Sequence, residues 1–264
     1  MKVADDFRQE CLGIEKLIAS IRVQDFDEPT GFKNWTVNNI LRHLHVWNKA
    51  AFLSLTDEAA FNTYIDQAMA AVRTGDLPTF ENQYLDSLSG KALFDTWRGF
   101  YPEMADAFAN ADPKARLPWA GPSMSARSSI TARLMESWAH AQAIFDQQGL
   151  DRTSSDAIEN IVVLGHNTFG WTFMNRGLDV PEPRPALRLV APSGTVWEFG
   201  DPDGGELIEG KAEEFCQVVT QTRNIADTQL AVTGPNAQQW MSFAQCFAGP
   251  PEDPPAQGVR RKKA

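Results

Sequence analysis

Hydrophobic residues in the first two thirds of the chain recur at helical spacing. In the first segment they lie three and four positions apart, from Phe7 to Ile21, which is typical of one buried helix face. Pro102 falls inside one of the later periodic segments and predicts that the helix is kinked or split there. Segment 75–90 shows a less regular pattern. The periodicity predicts further helices from Thr36 onward and over about 58–73, 91–109, 126–148 and 154–176.

The pattern changes after Arg176. Residues 177–186, "GLDVPEPRPA", hold three prolines and predict an extended linker. The following residues predict two strands joined by a Ser-Gly turn over 187–199, a helix over 211–222, a strand over 228–234 and a helix over 235–247. We therefore expect a mainly α protein: a bundle of four to five helices over 1–176, a small α+β domain over 177–250 and a disordered tail over 251–264.

Composition narrows the choice of partners. The chain has 264 residues and a net charge of −10, and its basic residues cluster only in the terminal "RRKKA". A nucleic-acid partner is not expected, because such proteins usually carry a basic face. The first residues contain no apolar signal-peptide core, and no segment is long and apolar enough for a membrane helix. These features predict a cytoplasmic protein with no membrane partner.

The cysteines predict neither a disulfide framework nor a zinc knuckle. There are three, they are widely spaced, and none forms a C-x-x-C pair. Cys11, Cys216 and Cys246 each lie beside apolar residues, so buried structural thiols are the favoured interpretation.

Two of the four histidines lie close together in "LRHLHVWNKAA". On a helix, His45 shares a polar face with Arg42 and Lys49, which predicts that it points toward water. His43 shares a face with Trp47 and lies next to the main apolar stripe, which predicts an inward orientation. A lone inward histidine is more often a core residue with one hydrogen bond than a metal ligand.

A second helix supplies candidate partners for His43. In "RLMESWAHAQAIF", Glu136 and His140 are four residues apart and share one side of the helix, flanked by small apolar residues. Two histidines and one glutamate form a known catalytic zinc set that leaves coordination positions open. The alternative is a surface pair, because Glu-x-x-x-His is common by chance.

The two segments resemble the DinB-like helical-bundle superfamily, in particular its mycothiol-dependent maleylpyruvate isomerase branch. The similarity lies in "WTVNNILRHL" and "MESWAHAQ", while "EGKAEEFCQVVTQTRN" and "GPNAQQWMSFAQCFAGPP" resemble the sterol-carrier-protein-like second half of such proteins. The resemblance implies a DinB-like bundle. It also implies that His43, Glu136 and His140 are the metal ligands, with His45 outside the ligand set.

The resemblance also implies a chemistry. Members often use the metal to bind a low-molecular-weight thiol as thiolate or to polarise a carbonyl. In an isomerase the thiolate adds to a conjugated double bond, permits rotation and leaves; an S-transferase stops after addition. Arg223 falls near the stretch where the isomerases carry an arginine that suits a carboxylated substrate. A solvated arginine at a helix end is the alternative. For His166, a structural role is favoured over acid or base catalysis.

The leading hypothesis is therefore a metal-dependent isomerase or thiol transferase acting on a small electrophilic substrate, carboxylated if Arg223 takes part. The alternatives are a non-catalytic metal- or ligand-binding protein with this fold, and a bundle whose cluster holds no metal. Histidine and glutamate ligands suit zinc best, with nickel, iron and manganese as further candidates. The sequence leaves open the thiol, the substrate and the choice between monomer and dimer.

Overall fold

The computed structural model describes residues 1–263, and the chain forms two compact units. The first unit is Met1–Ile144, and the second begins at Phe145. Within residues 1–263, no helix combines the length and the apolar character needed to cross a membrane. The predicted fold class, a mainly α bundle followed by a small α+β unit, is confirmed.

The first unit is built from long amphipathic helices. Its secondary structure comprises α1 (Lys2–Ala19), a 3-10 helix (Val23–Asp27), α2 (Val37–Thr56), α3 (Glu58–Thr74), α4 (Leu77–Tyr84), α5 (Gly90–Asn110), the short antiparallel pair β1 (Arg116–Leu117) and β2 (Met124–Ser125), and α6 (Ala126–Gln147), which continues past the unit boundary. Helix α5 packs against both α1 and α2, and its buried residues include Trp97 and Phe108. Pro102 lies inside α5, which the structure records as one helix.

Helix α2 begins at a reciprocal capping box. The Thr36 hydroxyl accepts a hydrogen bond from the backbone N–H of Asn39, and the Asn39 side chain accepts one from the backbone N–H of Thr36. Two N–H groups that a helix start leaves without partners are thereby satisfied. The start of α2, and hence the rotational position of its later histidines, is determined by local sequence.

The second unit places helices against a four-stranded sheet. Its elements are α7 (Glu159–Asn167), α8 (Phe169–Met174), β3 (Ala186–Val190), β4 (Val196–Phe199), β5 (Leu207–Lys211), α9 (Ala212–Val219), β6 (Ala231–Thr233) and α10 (Pro235–Phe243), with 3-10 turns at Asp156–Ile158 and Ile225–Asp227. The strand order is β4-β3-β5-β6. Strand β3 pairs antiparallel with β4 and parallel with β5, and β5 pairs antiparallel with β6.

Three local differences separate the structure from the sequence prediction. Helix α4 occupies part of the segment expected to be irregular, β5 was not predicted, and the helix expected over 154–176 is interrupted at Thr168. The backbone N–H of Thr168 bonds to the carbonyls of both Leu164 and Gly165, which ends α7 one residue before α8 starts. Strand β5 has no alternating pattern, because its glycine and charged residues break the period of two.

The division of the chain also differs from the predicted boundary at Arg176. Helices α7 and α8 belong to the second unit, where α7 packs against α9 and α8 against α10. The ring of Phe169 lies 5.1 Å from that of Trp240, in an edge-to-face arrangement. The apolar periodicity of α7 and α8 is correct, but periodicity does not say which partner buries the apolar face.

The segment after residue 250 is attached to the second unit, in contrast to the disordered tail that its composition predicts. Gln221 Nε2 donates to the carbonyl oxygen of Glu252 at 2.7 Å, and Asn224 Nδ2 donates to that of Pro255 at 2.8 Å. The backbone N–H of Lys263 donates to the Asp146 carbonyl at 2.8 Å. Ala264 lies outside the described residues.

The cysteine prediction is confirmed for the described residues. Cys11, Cys216 and Cys246 are all free and buried. Burial raises the pKa of both Cys11 and Cys216 well above the usual value, so these two thiols stay protonated and inert at neutral pH.

We expect Gly165→Ala to destabilise the second unit, because α7 approaches α9 closely at this glycine. A Cβ at position 165 would lie 2.9 Å from Val219 Cγ2 and 3.1 Å from Phe215 Cε1. Overpacking of this kind costs about 1–3 kcal/mol in free energy of unfolding. Gly170→Ala in α8 is the matched control, since its Cβ would meet nothing closer than 3.8 Å. Denaturant unfolding that shows equal stability for both variants would contradict this packing.

Candidate metal centre

Helices α2 and α6 bring the three candidate ligands together inside the first unit. Glu136 Oε2 lies 3.7 Å from His43 Nε2 and 3.2 Å from His140 Nε2. One ligand-type atom from each of the three residues lies within 4.8 Å of the other two. His43 comes from the second turn of α2, whereas Glu136 and His140 share one side of α6, so each helix contributes a preformed part of the cluster.

A buried carboxylate orients His43. His43 Nδ1 donates to Glu81 Oε1 at 2.8 Å, and Trp47 Nε1 donates to the same oxygen at 3.2 Å. Glu81 is only 3% exposed and comes from α4. Because Nδ1 carries the proton in this hydrogen bond, Nε2 is the nitrogen left to face Glu136 and His140. A carboxylate on the distal nitrogen of a histidine is the usual outer partner of a metal ligand.

Aromatic rings enclose the cluster. The indole of Trp35 is stacked on the His140 imidazole, with ring centroids 5.5 Å apart and planes 3° from parallel. Trp35 also meets His43 edge to face at 5.2 Å, and Phe32 meets His140 edge to face at 5.0 Å. These contacts hold both imidazoles in one orientation and lower the local polarity, which strengthens electrostatic interactions within the cluster.

The metal-free cluster holds its charges in a fixed pattern. Burial by itself lowers the pKa of His43, but hydrogen bonds to Glu136 and Glu81 outweigh it and raise that pKa to about 9. Burial lowers the pKa of His140, and charged His43 adds to this effect. Glu136 has its pKa held well below the usual value, because the hydrogen bonds from His140 and His43 outweigh its burial. The metal-free cluster therefore contains imidazolium at 43, carboxylate at 136 and neutral imidazole at 140.

The prediction that His45 points toward water is wrong. His45 is only 8% exposed, and its ring lies 5.2 Å from that of Phe100 on α5. The polar face of α2 is covered by α5 and the residues before it: Asn38 accepts from the backbone N–H of Gly90, and Arg42 donates to the Leu88 carbonyl. Backbone groups there satisfy Asn38 and Arg42, whereas His45 Nδ1 is buried without a hydrogen-bond partner among the described residues. His45 is not part of the ligand cluster.

His166 and Arg223 lie in the second unit, each with a local partner. His166 Nε2 is 3.1 Å from the carbonyl oxygen of Pro185, and burial lowers its pKa. Arg223 forms a bidentate ion pair with Asp146 at 2.7 and 2.6 Å and also donates to the Thr222 carbonyl. Arg223 is thus not the solvated arginine of the alternative interpretation. Catalytic roles for both residues stay predictions.

Sequence reasoning missed Glu81, although a helix signal was present. Asp76 precedes α4 and Pro78 lies in its first turn, a pairing typical of helix starts. Even with α4 predicted, nothing local identifies Glu81 as the partner of His43, since the two are 38 residues apart in the chain.

Fold and site together define the class of protein: a helical bundle with a two-histidine, one-glutamate cluster of metal-ligand type, followed by a small α+β unit. Residues 7–145 match the mycothiol maleylpyruvate isomerase N-terminal domain family. The match covers more than half of the chain and includes all three residues of the cluster. The chain belongs to this family, within the DinB-like superfamily, and the predicted resemblance is confirmed.

Relatives and solved structures extend the similarity beyond the first unit. Two proteins from different strains of Mycobacterium tuberculosis, both named as uncharacterised, are 32% identical to this chain over 246 residues, covering 93% of it and 95% of their own length. The crystal structure of the mycothiol-dependent maleylpyruvate isomerase superposes with a TM-score of 0.52 at 15% identity, covering 82% of this chain and 87% of that one. A variant of that enzyme with one histidine replaced by alanine superposes with a TM-score of 0.53 at 16% identity, again covering 82% of this chain and 87% of that one. At these identities, the likeness to solved structures establishes the fold.

We expect the two neighbouring histidines to titrate in opposite directions in the metal-free protein. The pKa of His43 is raised from 6.5 to about 9, whereas burial and Lys49 lower that of His45 to about 4. Stabilisation from protonated His43 is then complete below pH 6.5 and is lost as the pH rises through about 9. NMR titration, with signals assigned through His43→Gln and His45→Gln, measures both values. Ordinary values near 6.5 for both would contradict the geometry.

Proposed function

We propose that this protein is a metal-dependent enzyme that uses a low-molecular-weight thiol to isomerise a small electrophilic substrate, or to form a stable thiol adduct with it. The observation that carries the proposal is the convergence of His43 Nε2, Glu136 Oε2 and His140 Nε2, with Glu81 orienting His43 from behind. A surface ion pair needs no such outer carboxylate, and a core histidine needs no second histidine and glutamate beside it.

The donor set fits a divalent metal. Tetrahedral ligands at about 2.0–2.1 Å from a zinc ion lie about 3.3 Å from one another, and the two ligand-atom distances to Glu136 are 3.2 and 3.7 Å. In the metal-free cluster the proton on His43 Nε2 occupies the position that a metal requires. Binding would therefore release this proton, which is the ordinary linkage between metal affinity and pH.

His43, Glu136 and His140 would hold the metal, and three protein ligands leave a position for an exogenous group. A divalent metal bound there would favour a coordinated thiol in its thiolate form and polarise a neighbouring carbonyl. The chain's own contribution is to fix the two imidazoles through Glu81 and Trp35 and to keep Glu136 ionised.

Family membership supports the thiol and the isomerisation. The matching family and the solved structures with this fold carry mycothiol and maleylpyruvate isomerase in their names. Zinc is the metal that the ligand types favour, with nickel, iron and manganese as alternatives. Arg223 as a carboxylate-binding residue, His166 as an acid or base, a cytoplasmic location and the absence of a nucleic-acid partner are parts of the proposal that rest on sequence.

We expect the purified protein to contain near-stoichiometric divalent metal that His43→Ala and His140→Ala lose and His45→Ala retains. The first two substitutions each remove a ligand, whereas His45 lies outside the cluster. Elemental analysis after dialysis measures the metal content, and circular dichroism checks that each variant is folded. His45→Ala is the matched control, because it truncates a buried imidazole on the same helix.

The outcomes separate three classes of protein. Metal lost on replacing residues 43 and 140, together with thiol-dependent turnover of an electrophile, supports the enzyme. Metal bound with no turnover for any thiol would point to a non-catalytic metal-binding protein instead. No metal after incubation with zinc or nickel would refute both and leave an internally hydrogen-bonded cluster.

Glu81→Ala should weaken metal binding by about 10–100-fold without removing a ligand, because His43 loses the carboxylate that orients its ring. Glu58→Ala provides the control, since Glu58 is an exposed carboxylate in the first turn of α3. Competition with a chromophoric chelator gives both dissociation constants. Equal constants for Glu81→Ala and the parent protein would show that the hydrogen bond to His43 has no role in metal binding.

A further inference from the structure

Arg133 is the buried charge that the metal centre does not explain. It is 4% exposed, and within residues 1–263 it forms no ion pair. Its Nε donates to Asn48 Oδ1 at 3.0 Å, while its Nη2 is buried without a hydrogen-bond acceptor. A guanidinium cannot lose its charge in a protein, so it must be compensated by something other than deprotonation.

Asn48 carries a second donor in the same condition. Asn48 is fully buried, and its Nδ2 has no acceptor among the residues that the structure describes. The orientation of this amide is determined, because its oxygen must face the Arg133 N–H. Two hydrogen-bonded side chains, one on α2 and one on α6, therefore each leave a donor unused in the same part of the core. Orphaned buried donors cost free energy unless a ligand or water satisfies them.

The pair lies next to the metal centre. Arg133, Glu136 and His140 fall on one face of α6, and Arg133 is three residues before Glu136, about 4.5 Å along the helix axis. On α2, Asn48 directly follows Trp47, which contacts Glu81. Exposure falls from 22% for the Glu136 side chain to 0% for Asn48, so the donors lie on the inner side of the cluster.

The charge of the cluster also calls for an anion once a metal is bound. Glu81 and Glu136 are engaged by histidines rather than by Arg133. With both carboxylates ionised, both imidazoles neutral and a divalent metal in place, these groups and Arg133 together carry net positive charge. An anionic ligand neutralises that excess, and a buried excess charge is otherwise costly.

We propose that Arg133 and Asn48 form an anion subsite that binds a carboxylate beside the metal centre. Two unused N–H donors match the two oxygens of a carboxylate, and charge-assisted hydrogen bonds of this kind are strong. The inference rests on the proposed function and deepens it. Either the substrate is a carboxylated electrophile, or the thiol itself carries the carboxylate. It gives the first unit a carboxylate-binding arginine of its own, separate from Arg223, which is paired with Asp146.

The test compares three probes on zinc-incubated full-length protein by calorimetry. Succinate carries carboxylates without a thiol, mercaptoethanol a thiol without a carboxylate, and mercaptoacetate both. We expect Arg133→Met to weaken the binding of succinate and mercaptoacetate by about tenfold or more and to leave the binding of mercaptoethanol unchanged. Arg8→Met is the matched control, because Arg8 is in the same unit but already paired with Asp106, and it should leave all three affinities unchanged.

The two sources of the carboxylate give different results. Succinate that still binds in saturating mercaptoethanol assigns the subsite to the substrate. Mercaptoacetate that binds more tightly than mercaptoethanol, with the advantage lost in Arg133→Met, assigns it to the thiol. Either result supports the anion subsite.

Stability provides the second measurement. With zinc bound and no anion present, Arg133 is an uncompensated buried charge, so a folded Arg133→Met should melt at the same temperature as the zinc-bound parent or higher. If Arg133→Met fails to fold, Arg133→Lys takes its place. Lysine keeps the charge but lacks the planar donor fork of arginine, so it should weaken succinate binding to a smaller extent.

Several outcomes would overturn the subsite. One is equal succinate affinity in the parent and in Arg133→Met, or in Arg133→Lys where it takes its place. The others are equal weakening of all three probes and a folded Arg133→Met that melts well below the zinc-bound parent. Succinate binding and metal content are measured separately, so a parent protein that binds succinate through Arg133 but no zinc would refute the proposed function and keep the subsite.

Discussion

Burying ionisable groups inside a helical bundle is the constraint on which the site depends. Two imidazoles and two carboxylates lie against one another between α2, α4 and α6, and each is tolerated only because the others are present. Unpaired, any of these groups would cost several kcal/mol. The same mutual dependence fixes which imidazole nitrogen is protonated. The contacts that allow these ionisable groups to be buried are therefore the same contacts that place the three candidate metal ligands.

The bundle supplies this arrangement from elements that are locally well specified. The capping box at Thr36 defines where α2 begins, and the turn-by-turn spacing of Glu136 and His140 defines their common side of α6. Helix α4 completes the site by bringing Glu81 to His43. A short helix between two long ones is thus the element on which the orientation of the ligand depends, although it contributes little to the core.

The polar core extends beyond the ligands. Arg133 and Asn48 continue the row of buried polar groups inward from Glu136, and His45, Asn38 and Arg42 form a separate polar layer where α2 meets α5. In this second layer, backbone groups satisfy Asn38 and Arg42, whereas His45 Nδ1 is buried without a hydrogen-bond partner among the described residues. The first layer differs in that two unused donors belong to hydrogen-bonded neighbours, one of them the charged Arg133.

The sequence by itself determined the fold class, most helix positions, the inward orientation of His43 and the pairing of Glu136 with His140. These features depend on periodicities and caps within a few residues of one another. Only the tertiary structure decided that α5 buries His45, that α7 and α8 pack with the second unit, that Glu81 supports His43 and that Arg133 meets Asn48. In each of these cases the partner lies far away in the chain, and a side chain's own periodicity does not identify the surface that will cover it. The amphipathic pattern predicts that a face is buried, whereas packing and hydrogen bonding across the whole unit determine which surface covers that face.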